Sequence, residues 1–162
     1  MMRGGIVPRI LQSWWAPRDV VRGLSDMPER VKLVVLMAAL LIFLVAQAPL
    51  RAREAQVDPS IPFDARMAGA LLAVMFVMPL IAYGVAALVP PLMRLASRRL
   101  TAEDSRLALF WALLAVAPAM LLWGMVAGLV GPGPAQVATQ ALVGIGFLAI
   151  WGAGLSALTR KA

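Results

Sequence analysis

Long apolar stretches free of charge alternate along this chain with short charged ones. Residues 33–50, 67–89, 107–130 and 135–158 contain no Asp, Glu, Lys or Arg, and every charged residue lies between or outside them. At about 1.5 Å per helical residue these stretches are roughly 27–36 Å long, against a hydrocarbon core of about 30 Å. A soluble fold would have to bury all four within 162 residues that are 62% hydrophobic, leaving too little polar surface to cover them. The pattern predicts an all-α integral membrane protein with four transmembrane helices at those positions. Residues 1–32 form a cytoplasmic interfacial segment in this reading, 33–158 the membrane domain and 159–162 a cytoplasmic tail.

Basic residues orient the spans, because Lys and Arg near span ends stay on the cytoplasmic side. Arg3, Arg9, Arg18, Arg22, Arg30 and Lys32 precede the first span; Arg94, Arg98, Arg99 and Arg106 separate the second and third; Arg160 and Lys161 follow the fourth. The other side has Arg51, Arg53 and Arg66 alone. Both termini are therefore expected in the cytoplasm, with the protein multi-pass. The +7 net charge is spread over three segments flanking apolar spans, which suits topology and anionic headgroups and leaves no basic domain for nucleic acid. Cys and His are absent, which excludes disulfides, thiol chemistry and imidazole catalysis, and leaves only carboxylates for a metal.

A basic leader, an apolar run and Ala46-Gln47-Ala48 resemble a cleavable signal peptide. More than thirty residues precede the run and Pro49 follows the small-residue site, so the segment reads as a retained signal anchor. Upstream, Ile10, Leu11, Trp14 and Trp15 share one side of a short helix, and Val20, Val21 and Leu24 repeat the pattern opposite Arg18, Asp19 and Arg22. These pieces are expected to lie in the interface as amphipathic helices, Trp14 and Trp15 in the headgroup layer and Arg18 and Arg22 on anionic lipid.

Residues 51–66 read as a short exposed loop kept extended by Pro59 and Pro62; Asp58 and Asp64 supply too few oxygens for calcium. A short helix is expected over 92–100 after Pro90-Pro91, with Thr101 as the N-cap of the third span. Pro118 should kink that span, a re-entrant hairpin being the alternative. The Gly131-Pro132-Gly133-Pro134 turn should make spans three and four an antiparallel hairpin. Gly124 and Gly128 form a GxxxG, and Ala149, Ala153 and Ala157 a small-residue stripe; both are candidate helix-packing or partner surfaces.

A transporter or pump is expected to hold an ionisable residue inside the membrane, and none is present. Tyr83 and Gln140 read as interhelical hydrogen bonders. Glu103 and Asp104 are adjacent, hence on different helix faces, and suit a helix start. No nucleophile has a base or orienting partner, so no enzyme and no cofactor is expected. The methionines Met75, Met78, Met120 and Met125 read as adaptable packing.

The runs APRDVVRGL, LIFLVAQAPLRAREA and, above all, SRLALFWALLAVAPAMLLWGMVAGLVGPGP resemble the bacterial branch of the Yip family, the Ypt-interacting membrane proteins, over residues 16–156. Eukaryotic members commonly have five spans and associate with small GTPases in membrane trafficking. This chain has four predicted spans and lacks the acidic DLYGP-type motif, so the resemblance implies no GTPase partner and transfers no functional residue.

Two functions fit. One is a non-catalytic accessory or assembly subunit, packing through its apolar faces beside a larger inner-membrane complex. The other is a binder or carrier of a lipid, quinone or other apolar molecule, in a cleft opened by Pro118 and Gly124 and lined with Tyr83 and Gln140. A defined pocket between spans favours the second; a flat face of small residues buried against another chain favours the first.

Overall fold

The computed structural model describes residues 5–161, Arg160 and Lys161 by backbone only; Arg3 of the basic leader lies outside them. Two short helices, α1 (Ile6–Gln12) and α2 (Pro17–Arg22), precede α3 (Glu29–Val57), the first span. The second span, Phe63–Leu95, is α4 (Phe63–Leu72) and α5 (Met78–Leu95) joined by a π-helical turn, Ala73–Val77. The third, Ala102–Val130, is α6 (Ala102–Ala115), α7 (Ala117–Met125) and a second π turn, Val126–Val130. The fourth is α8 (Pro134–Leu158). All four are long and apolar enough to cross a membrane, as the charge pattern predicts.

The first and third spans form the buried centre, and the second and fourth flank them. Trp111, Phe110, Leu36, Leu40 and Leu107 fill the middle. At one end, β1 (Arg98–Arg99) pairs antiparallel with β2 (Arg160–Lys161), so the connection between spans two and three and the C-terminal tail share a face. Glu29, at the start of α3, takes ion pairs from both Lys32 and Arg106, which fastens spans one and three together at that same face. We call it the terminal face, and its opposite the distal face.

Helices outrun the uncharged stretches. The first continues past the expected loop start to Val57, and the next begins at Phe63, which reduces the extended 51–66 loop to residues 58–62. A span limit marks where charge begins, but nothing in Arg51, Arg53 or Glu54 stops a helix, and Arg51 and Glu54 form an i,i+3 pair that supports it. Pro59 and Pro62 mark the true break. Nor does a separate helix form over 92–100: α5 runs through Pro90-Pro91 to Leu95 and ends in a turn with Ser97 at φ 55°.

Each proline in a span leaves a carbonyl without its helical donor. Pro90 frees that of Ala86, and the buried Ser105 hydroxyl donates to it at 2.7 Å, tying span three to span two. Pro79 follows the π turn, in which the Met78 N–H reaches back to Ala73. Pro118 sits in the first turn of α7, and the helix is interrupted at Val116 with span three otherwise continuous, a kink and not a hairpin. Thr101 caps α6, its Oγ1 accepting from the Asp104 N–H at 3.0 Å.

The N-terminal segment departs from expectation. Val20, Val21 and Leu24 are buried in the core with α2 laid along α8, so their apolar face meets protein where lipid was expected. Trp14 reaches the middle of the bundle: its ring covers Gly146, the midpoint of α8, and its indole donates to Ala115. Ser13, fully buried, accepts from the Trp111 indole at 2.9 Å. Trp15, Arg18 and Arg22 remain exposed around a shallow recess of about 370 Å³.

Candidate functional site

The structure holds a cleft of about 520 Å³ between spans one and two, opening toward the distal face with Met120 of span three at its back. One wall is the i, i+3/i+4 face of α3 formed by Leu40, Phe43, Gln47 and Arg51. The other is Ala65, Arg66, Gly69, Ala70, Ala73, Val74 and Met78, where small side chains leave the space open. The π turn supplies Ala73 and Val74; such turns insert a residue and re-aim the helix face, and they recur at functional sites. The volume falls within the range of roughly 300–1,000 Å³ usual for small-molecule sites.

The mouth is polar. Arg51 donates to Glu54 at 2.9 Å and to the Gln47 side-chain oxygen at 3.1 Å. Its Nε–H is buried with no acceptor among the described residues. Arg66 straps the 58–62 loop, donating to the Ile61 carbonyl at 3.0 Å, the Asp58 carbonyl at 3.1 Å and the Asp58 carboxylate at 3.2 Å, with Glu54 at 3.7 Å. In return Asp58 accepts from both the hydroxyl and the N–H of Ser60. Hydrogen bonds from Ser60 first, and then the Arg66 charge, hold the Asp58 carboxyl below the ordinary aspartate value.

A second recess of about 460 Å³ lies on the other side of α3, between Arg53, Val57 and the residue 131–134 turn, and Arg66 borders both. There Arg53 donates to the Gly128 carbonyl at 3.3 Å, its guanidinium folded over Gly131. Gly131 has φ 89°, and a side chain there would be strained and would strike Arg53.

The residues expected to line an apolar cleft are not brought together. Tyr83 meets Phe110 edge-on at 5.0 Å, Gly124 is buried against Ala46, and Pro118 and Gln140 are exposed. The GxxxG is an internal joint: a Cβ on Gly124 would overlap the Ala46 carbonyl, and one on Gly128 would overlap Pro49. On α8, Ala149 is exposed and Ala153 and Ala157 are half-buried, while Gly146, Ile150 and Gly154 form the stripe that packs inward. Sequence reasoning missed the cleft; its one signal was the run of small residues Ala65, Gly69, Ala70 and Ala73 ahead of Pro79.

Among the described residues no three His, Cys, Asp or Glu groups gather as a metal site. No family model, curated protein or solved structure matches the chain. The Yip resemblance thus rests on the motifs quoted above.

Proposed function

We propose that this is a non-catalytic protein of the bacterial inner membrane, with both termini cytoplasmic, that binds an apolar molecule between its first and second spans. The cleft carries this reading: it has an apolar interior, a polar mouth and a volume suited to a small molecule. Twelve basic residues before the first span, between the second and third and after the fourth, against three between the first and second, support the orientation. Purification of the native protein in mild detergent, with mass spectrometry of retained small molecules and proteins, tests the reading. One enriched apolar molecule on a solitary protein is the expected result.

A second reading, the accessory or assembly subunit of a larger membrane complex, is favoured by Gln140. It lies six residues into α8, roughly 9 Å from the helix start, exposed and without a hydrogen-bond partner among the described residues. A carboxamide in hydrocarbon is costly unless another chain pairs with it. Gly144, one turn along the same face, is small and exposed, which lets a partner helix approach. Recovery of a stoichiometric membrane complex with an empty cleft would replace the first reading with this one.

A further inference from the structure

The bundle holds α2 inside one leaflet, below the membrane surface. Trp14, just ahead of the helix, covers Gly146 at the midpoint of α8, and Val21, near its end, rests on Gly154. Leu158 ends α8, so at about 1.5 Å per residue the two contacts lie roughly 18 Å and 6 Å from the terminal end of that span. Helix α2 therefore runs outward toward the terminal face in the same direction as α8, and Arg18 and Asp19, which precede Val21, sit deeper than it does.

Arg18, Asp19 and Arg22 share the side of α2 opposite the buried Val20 and Val21. They line the recess of about 370 Å³ together with Trp15, Ala16 and Pro17. All three charged side chains are exposed, and none makes a hydrogen bond or ion pair with a described residue. At this depth they meet lipid, where unpaired charge is costly and marks a functional site. Arg18 and Arg22 are long enough to carry their guanidinium groups outward to the level of the phosphates. Asp19 is too short for that, so its carboxylate needs a cation brought to it. An anionic phospholipid would satisfy the two arginines and leave Asp19 unpaired. A choline headgroup would bring positive charge but no N–H. A primary ammonium on the phosphodiester answers all three.

We propose that this recess binds a phospholipid with an ethanolamine headgroup, its phosphodiester held by Arg18 and Arg22 and its ammonium donating to the Asp19 carboxylate. Trp15, on the rim, is of the type that seats at headgroup level. The site is separate from the cleft between spans one and two and requires only that the chain lie in a membrane.

The test uses the full chain in mild detergent, titrated separately with phosphatidylethanolamine, phosphatidylcholine and phosphatidylglycerol of matched acyl chains and read by native mass spectrometry. Phosphatidylethanolamine should bind saturably and about tenfold more tightly than either of the others, the worth of one charge-assisted hydrogen bond. Asp19→Asn should abolish its advantage over phosphatidylcholine and leave phosphatidylcholine bound as before. Arg18→Gln and Arg22→Gln should each weaken all three lipids, and Arg30→Gln, outside the recess, should change nothing. Glycerophosphoethanolamine, the same headgroup without acyl chains, should fail to compete at matched concentration. Phosphatidylglycerol ahead of phosphatidylethanolamine, or equal binding of the three lipids, overturns the proposal, and so does competition by the soluble headgroup as strong as that of the lipid. All four substitutions change exposed side chains, and the ranking on the wild-type chain decides the matter even if a variant fails to fold.

Discussion

The indole N–H of Trp14 donates to the carbonyl of Ala115 at 3.0 Å, across 101 positions of sequence. Ala115 is the last residue of α6, where the interruption at Val116 ends the helix, and helix ends leave carbonyls in need of donors. A residue of the leader thus completes the kink of the third span. Trp14→Phe loses the bond and also the outer indole carbons that cover Gly146; it should cost about 2–4 kcal/mol and lower the thermal midpoint in detergent. Trp15→Phe, at a position 71% exposed, should leave the midpoint in place. Equal effects at the two positions would place the leader off the bundle.

The close approach of spans one and three makes a second prediction. Gly124→Ala and Gly128→Ala each place a methyl group into the backbone or ring of α3, at Ala46 and Pro49, and should destabilise by about 1–3 kcal/mol, as overpacking does. Gly152→Ala meets open space and should be neutral or gain up to about 1 kcal/mol from helix propensity. Unfolding titrations of the three variants in mixed micelles check the order.

Absence of cysteine makes topology simple to measure, since any introduced thiol is unique. Ser60→Cys in the 58–62 loop should react with a membrane-impermeant maleimide in cells whose outer membrane has been opened. Ser97→Cys, in the turn before β1, should react only after the inner membrane is broken. The reverse pattern would invert the protein.

Asp58 gives a pH dependence. Its folded pKa is depressed relative to an unfolded aspartate near 3.9, so its contribution to holding the loop is complete above that value and is lost as pH falls through the lower folded one. Carboxyl NMR should show Asp58 titrating below the ordinary aspartate range, with the loop unchanged from neutrality down to about pH 4. Ser60→Ala removes the hydroxyl and keeps the backbone N–H, so it should move the Asp58 midpoint part of the way back up; an unmoved midpoint would assign the depression to that N–H and Arg66.

The four spans were legible because charge is excluded from hydrocarbon, a constraint written residue by residue. Helix ends were not, since Arg51 and Arg53 leave the membrane without leaving the helix. The seat of α2 was hidden for a different reason: the apolar side formed by Val20, Val21 and Leu24 reads the same whether lipid or α8 covers it. The GxxxG at Gly124 and Gly128 was visible as a close-approach motif, but its partner, the Ala46 to Pro49 stretch, carries no reciprocal signal. Least legible was the cleft. Its lining comes from the first three spans and the 58–62 loop, and Arg51 and Arg66 looked like span-flanking charges until the fold set them at one mouth.

Val21 rests on Gly154, and Trp14 on Gly146. During synthesis α1 and α2 are made before α8, the helix whose surface receives them. The opening residues must therefore wait, unburied, while all four spans are threaded into the bilayer, and their docking closes the molecule. A chain stalled or cut before α8 would leave Trp14 and Val21 without the glycines that receive them.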